Sequence, residues 1–122
     1  MKTLCAALIL LGLPTSAPAW MAQNDLVVEP SPGGFTVPYR GRSGARDFWC
    51  AAGDYVIREL DLPTDTLIFR TSSPPRRSGQ GISFSLSPES AKKPGLFLLS
   101  GRRGVSASLA REFCRDLPIE SD

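Results

Sequence analysis

The stretch SGARDFWCAAGDYVIREL, residues 43–60, decides how the rest of the chain is read. Ser43 can cap a helix and Asp47 suits the positive first turn. Phe48, Ala52, Tyr55, Val56 and Leu60 recur at three- and four-residue spacing, which predicts a helix over 45–60 with one apolar side. Pro63 bounds it. Farther on, Val105, Leu109, Phe113 and Leu117 stand four apart and predict a closing helix over 105–117, bounded by Pro118. Each helix carries one cysteine, Cys50 in the first and Cys114 in the second.

Strand signals surround these helices. Phe35, Val37 and Tyr39 alternate with Thr36 and Pro38, and Pro38 cannot donate to a ladder, so 35–39 reads as an edge strand. Three more strands are expected: 66–71 with Leu67 and Phe69 inward, 82–86 with Ile82, Phe84 and Leu86 inward, and 96–100. Ser83 and Ser85 mark a solvated outer face. Turn residues fill the loops 74–81 and 87–95. Residues 20–34 hold Pro30, Pro32, Gly33 and Gly34 and read as a flexible tether, in which only 26–28 could form a short strand. The expected fold is a small single α+β domain over 35–119 in β-α-β-β-β-α order, followed by a tail at 120–122. An antiparallel sheet of three to four strands is covered on one face by two helices joined by a disulfide.

The first nineteen residues read as a secretory signal: Lys2, an apolar run over 4–13, Pro14, and the small-x-small site Ala17-Pro18-Ala19. The run is shorter than the roughly 20 residues of a membrane span. Cys5 lies at the beginning of the run, not after it where a lipid-attachment cysteine would stand, and is discarded with it. Secretion, into a bacterial periplasm, is therefore expected, with no membrane span after cleavage. In an oxidising compartment Cys50 and Cys114 form an even pair, and they lack the Cys-x-x-Cys spacing of a redox site. They close a loop of about 65 residues, for which chain entropy gives roughly 4 kcal/mol.

Composition narrows the function. After cleavage 13 basic side chains face 12 acidic ones, a net charge of +1. That argues against a nucleic-acid packaging protein, an acidic disordered tail and a cysteine-rich knot. Histidine is absent from the sequence, which removes the commonest general base and zinc nitrogen ligand. No Gly-x-Ser-x-Gly elbow occurs. Asp47 and Asp54, seven apart, cannot share a proton, and Arg58 four after Asp54 reads as a surface ion pair. No catalytic residue, cofactor or metal ligand is assigned, and the reading leans away from an enzyme.

Charge placement carries the remaining signal. If the last three strands form a meander, the 74–81 loop, the 101–104 turn and the starts of both helices share one end. Arg40, Arg42, Arg46, Arg76, Arg77, Arg102 and Arg103 would gather there. Asp61, Asp65, Glu89, Asp116 and Glu120 would occupy the other end, diluted by Lys92, Lys93 and Arg115. Arg42, Arg76, Arg77, Arg102 and Arg103, in glycine-bearing loops, are the anion-binding candidates, because a guanidinium fork suits carboxylate or phosphate. Arginine–glycine turns are also ordinary solvated chemistry, and neither loop has the Walker spacing. The function expected is an exported, non-catalytic binding or accessory module that contacts an anionic envelope component or an acidic protein, not nucleic acid. The alternative is a secreted small enzyme or enzyme inhibitor working through other loop residues. Phe48 and Trp49, beside Cys50, read as core.

One internal test disagrees with the meander. Cys50 and Cys114 sit at the leading edge of their apolar arcs in the same rotational sense, which favours antiparallel helices. That arrangement needs the 87–95 connection to cross over, and nine residues are few for a crossing. The meander is accordingly the expectation.

Overall fold

The computed structural model describes residues 19–41, 44–96, 99 and 101–115. The expected signal over 1–19 and tail over 120–122 thus lie outside the described residues, apart from Ala19. The elements are β1 (Trp20–Met21), β2 (Val27–Ser31), β3 (Gly34–Val37), α1 (Ala45–Asp54), β4 (Leu67–Arg70), β5 (Ile82–Ser85), β6 (Gly104–Ser106) and α2 (Ala107–Glu112). A π-helical turn, Tyr55–Glu59, extends α1, and a 3-10 turn, Pro88–Ser90, follows β5. The strands make one antiparallel sheet in the order β1-β2-β3-β5-β4-β6. The class is α+β, as expected, with two helices and the Cys50–Cys114 disulfide, but strand number and order differ.

The first difference concerns residues 20–34, which supply β1 and β2 instead of a tether. Gly33 takes φ +79° after Pro32, and this turn sets Ser31 opposite Gly34. Ala22, Leu26 and Val28 are buried, so the segment contributes core as well as hydrogen bonds. Pro30 lies in β2 beyond the residues that pair with β1, and Pro32 in the turn, where a missing donor is tolerated.

The second difference lies at the C-terminal side. Of the strand expected over 96–100, Leu96 is buried without strand pairing, and residues 97, 98 and 100 lie outside the described residues. The last strand is β6, and its partner is β4, with Ile68 opposite Val105. Val105 is therefore a strand residue, and α2 begins after Ser106, whose hydroxyl accepts from the Leu109 N–H at 3.2 Å. The expected end of this helix, 116–117, lies outside the described residues.

The meander is thereby overturned. Strands β5 and β6 both run antiparallel to β4, hence parallel to each other, and residues 86–103 carry the chain across. That link, from Ser85 to Gly104, exceeds the dozen residues a parallel crossover requires, where the 87–95 connection alone fell short. Since β3 and β6 run oppositely, the helices that follow them are antiparallel. Arg46, near the start of α1, lies over the Phe113 ring at 5.3 Å, while Gly53 near its end packs on Ala107 and Arg111 backbone. The same-sense offset of the two cysteines had this cause.

The third difference is one of parity. Ile68 and Arg70 face the helices, and Leu67, 50% exposed, stands with Phe69 on the other face. Phe35, Val37, Ile82 and Phe84 do point inward, whereas Leu86 is exposed. On the outer face the Thr36 and Ser83 hydroxyls meet at 3.1 Å. Phe48 and Trp49 are fully buried, as expected of core, and the Trp49 ring packs edge-on to Phe84 at 4.8 Å. Among the described residues no helix is long and apolar enough to cross a membrane.

Asp54 is not a surface residue. Its carboxylate is buried in α1 and accepts from Arg58 Nε and Nη2 at 2.8 and 2.7 Å and from the Gln23 N–H at 2.9 Å. The pair therefore fastens the β1–β2 turn to the helix. Burial alone would raise the Asp54 pKa, but the hydrogen bonds from Arg58 and Gln23 and the Arg58 charge outweigh it and hold the carboxyl below its ordinary 3.8. A group depressed on folding stabilises above its unfolded pKa and loses that effect as pH falls toward the folded one. Asp54→Asn is expected to lower the urea midpoint at pH 7, with the gap to wild type closing below about pH 3.8. Reduction of the Cys50–Cys114 bond, or Cys114→Ser, should cost up to about 4 kcal/mol in the same urea measurement.

Candidate functional site

At one end of the sheet, here the upper end, β3 and β4 finish and β5 and β6 begin. Residues 38–41, 71–81 and 101–103 therefore share that end with the start of α1. Arg70 is the last residue of β4, and its side chain lies on the helix face with only 2% of its surface exposed. Its guanidinium donates to three backbone carbonyls: Nε to Ser72 at 2.8 Å, Nη1 to Pro94 at 3.2 Å and Nη2 to Ser73 at 3.5 Å. Neither ion pair among the described residues includes it. Burial first, and then the neighbouring Arg76 charge, pull Arg70 below the usual arginine range, yet a guanidinium stays charged at neutral pH.

The segment that meets Arg70 is the returning crossover. Lys92 bridges to Arg70 through backbone, its N–H donating to the Arg70 carbonyl at 2.7 Å. Pro94 then offers one carbonyl to both Arg70 and the Trp49 indole N–H, the latter at 2.9 Å. Gly95 adopts φ +80°, and a Cβ there would run into Arg70 Nη1, so glycine is required twice over.

These contacts leave an open cleft of about 610 Å³. Arg70, Arg76 and Lys93 supply its charge, and Pro74, Pro75 and Leu96 most of its apolar wall. Ala45 brings the first turn of α1, the positive end of the helix, to the same place. Arg76 is held in position: its guanidinium lies 5.2 Å from the Tyr39 ring and 4.9 Å from the Phe48 ring, and Nη1 donates to the Gln80 carbonyl at 2.9 Å.

The other anion-binding candidates stand around the cleft without lining it. Arg77 is exposed on the Arg76 loop. Arg103 is exposed and donates to the Ala91 carbonyl at 2.8 Å, which ties the approach to β6 to the crossover; Arg102 is exposed beside it. Arg42 lies outside the described residues, as do Asp116 and Glu120. Asp61 and Asp65, between α1 and β4, lie at the lower end, and Glu89 lines a separate groove with Ser31 and Gly33.

Two placements differ from expectation. Lys92 and Lys93 belong to the upper end, because the crossover climbs back to it, and so they add to the arginines instead of diluting the acids. The start of α2 belongs to the lower end, because β6 runs down. Sequence reasoning also missed Arg70, whose position in the inward set with Ile68 was hidden by the opposite parity. Among the described residues no three histidine, cysteine, aspartate or glutamate side chains converge as a metal site would need. The cleft supplies fixed positive charge, N–H donors and rigid apolar surface, which equips it to hold an anion.

No protein-family model, curated protein or solved structure matches this chain.

Gly95→Ala is expected to destabilise the protein by about 2 kcal/mol or more, since backbone strain and overlap with Arg70 add. Gly33→Ala, at φ +79° but with nothing within 4 Å, should cost only about 1 kcal/mol. Urea unfolding of the two variants side by side checks the difference.

Proposed function

We propose that this chain is an exported, non-catalytic binding module that takes an anionic ligand, or the acidic surface of a partner, at the upper end of its sheet. The observation that supports this most is Arg70, a buried guanidinium held by three backbone carbonyls and facing a cleft shared with Arg76 and Lys93. Removing a guanidinium from water is costly, and backbone carbonyls answer its hydrogen bonds without cancelling its charge. An incoming anion would meet that charge in a medium less polar than water, where attraction is stronger. Arg77, Arg102 and Arg103, exposed on the flanking loops, would steer the encounter. Export agrees with the signal-like residues 1–19 and with the Cys50–Cys114 bond, which persists in an oxidising compartment such as the periplasm.

Titration with hexaglutamate at low and high salt tests the reading. Binding is expected to weaken at least tenfold between about 20 and 300 mM salt. The double variant Arg102→Ala, Arg103→Ala should weaken it roughly fivefold, with the thermal midpoint lowered by no more than a few degrees through loss of the exposed Arg103–Ala91 bond. Binding that ignores both salt and the two arginines would overturn the electrostatic reading.

A further inference from the structure

We infer that the cleft takes a small amphiphilic carboxylate, its head against Arg70, Arg76 and Lys93 and its alkyl or aryl body between the two prolines and Leu96. This rests on the anion-binding reading and names the ligand class for it.

Three features select that class. The first is size: about 610 Å³ falls within the roughly 300–1,000 Å³ of small-molecule sites and far exceeds what an inorganic anion fills. The second is the character of the walls. Pro74, Pro75 and Leu96 have little or no polar side-chain surface to offer a sugar or a polyphosphate, and proline rings lose almost no freedom when a ligand packs on them. The third is the donor count. A guanidinium has five N–H groups, and three of those on Arg70 are committed to Ser72, Ser73 and Pro94. One N–H on each terminal nitrogen is left without a partner among the described residues, and two donors match the two oxygens of one carboxylate. A single head group also asks less desolvation than a doubly charged phosphate, while an apolar tail regains free energy by leaving water.

The expectation is a one-to-one site for octanoate, with butanoate, hexanoate and octanoate tightening by up to about fourfold per methylene. 1-Octanol, which lacks the charge, should bind at least tenfold more weakly than octanoate. In methyl NMR, Ala45 and Leu96 should shift on octanoate addition while Leu67, on the opposite sheet face, stays put. Ala45→Phe, which places a ring in the cleft mouth, should remove the chain-length dependence, and Lys93→Gln should weaken octanoate a few-fold.

Equal affinity for butanoate and octanoate, or shifts that miss Ala45 and Leu96, would overturn the carboxylate inference while salt-sensitive hexaglutamate binding left the anion-binding reading standing. Loss of both would remove the two together. The chain-length series on the wild-type protein decides the matter even if Ala45→Phe does not fold.

Discussion

The Pro94 carbonyl accepts from the Trp49 indole and from the Arg70 guanidinium, and much of the upper end depends on that shared acceptor. Trp49 is fully buried in α1, Arg70 ends β4, and Pro94 lies on the connection that returns from β5 toward β6. A single oxygen with two lone pairs thus joins helix, sheet and crossover. If the connection moved away, an indole N–H and a guanidinium would both lose a buried partner, each at a cost greater than an exposed hydrogen bond. The adjoining Gly95 has its conformation for the same reason: the chain must turn close against the guanidinium, where a side chain has no room.

The two helices and the N-terminal strands are secured differently. A domain of this size has limited apolar area to bury, so cross-links carry a larger share of its stability. The Cys50–Cys114 bond joins α1 to the residues just beyond α2, and Gly53 lets the two helices approach so closely that a Cβ would overlap Ala107 and Arg111 backbone. Asp54, one residue on, reaches the other way and holds Gln23. Consecutive positions of one helix therefore secure the C-terminal helix and the N-terminal strands. The Trp20 ring adds to this, edge-on to Tyr55 at 5.6 Å and with Arg58 over it at 5.0 Å.

The meeting of cationic side chains at the cleft follows from the path of the chain. Strand ends and loops that carry arginine open at the upper end, and the crossover brings Lys92 and Lys93 to join them. In a chain close to neutral overall, Arg70, Arg76 and Lys93 thereby share one cleft, and of these three Arg70 is the buried one. The proposed ligand chemistry comes from that combination of a dry charge with proline and leucine walls.

What the residues determined by themselves was local. The spacing of Phe48, Ala52, Tyr55 and Val56 was legible as a helix, the two remaining cysteines as a pair, Ser83 as a solvated face, and the stretch around Arg76 and Arg77 as a loop. Each rests on periodicity or turn chemistry within a few residues. The parity of β4, the partner of β6 and the strands within 20–34 were not legible, because sheet pairing joins distant segments and a one-residue slip exchanges every inward side chain for its neighbour. Leu67 and Phe69 look more like core than Ile68 and Arg70 do. Only the fold reverses that order, by supplying Phe84 beside Arg70 in the sheet and three carbonyls around its guanidinium.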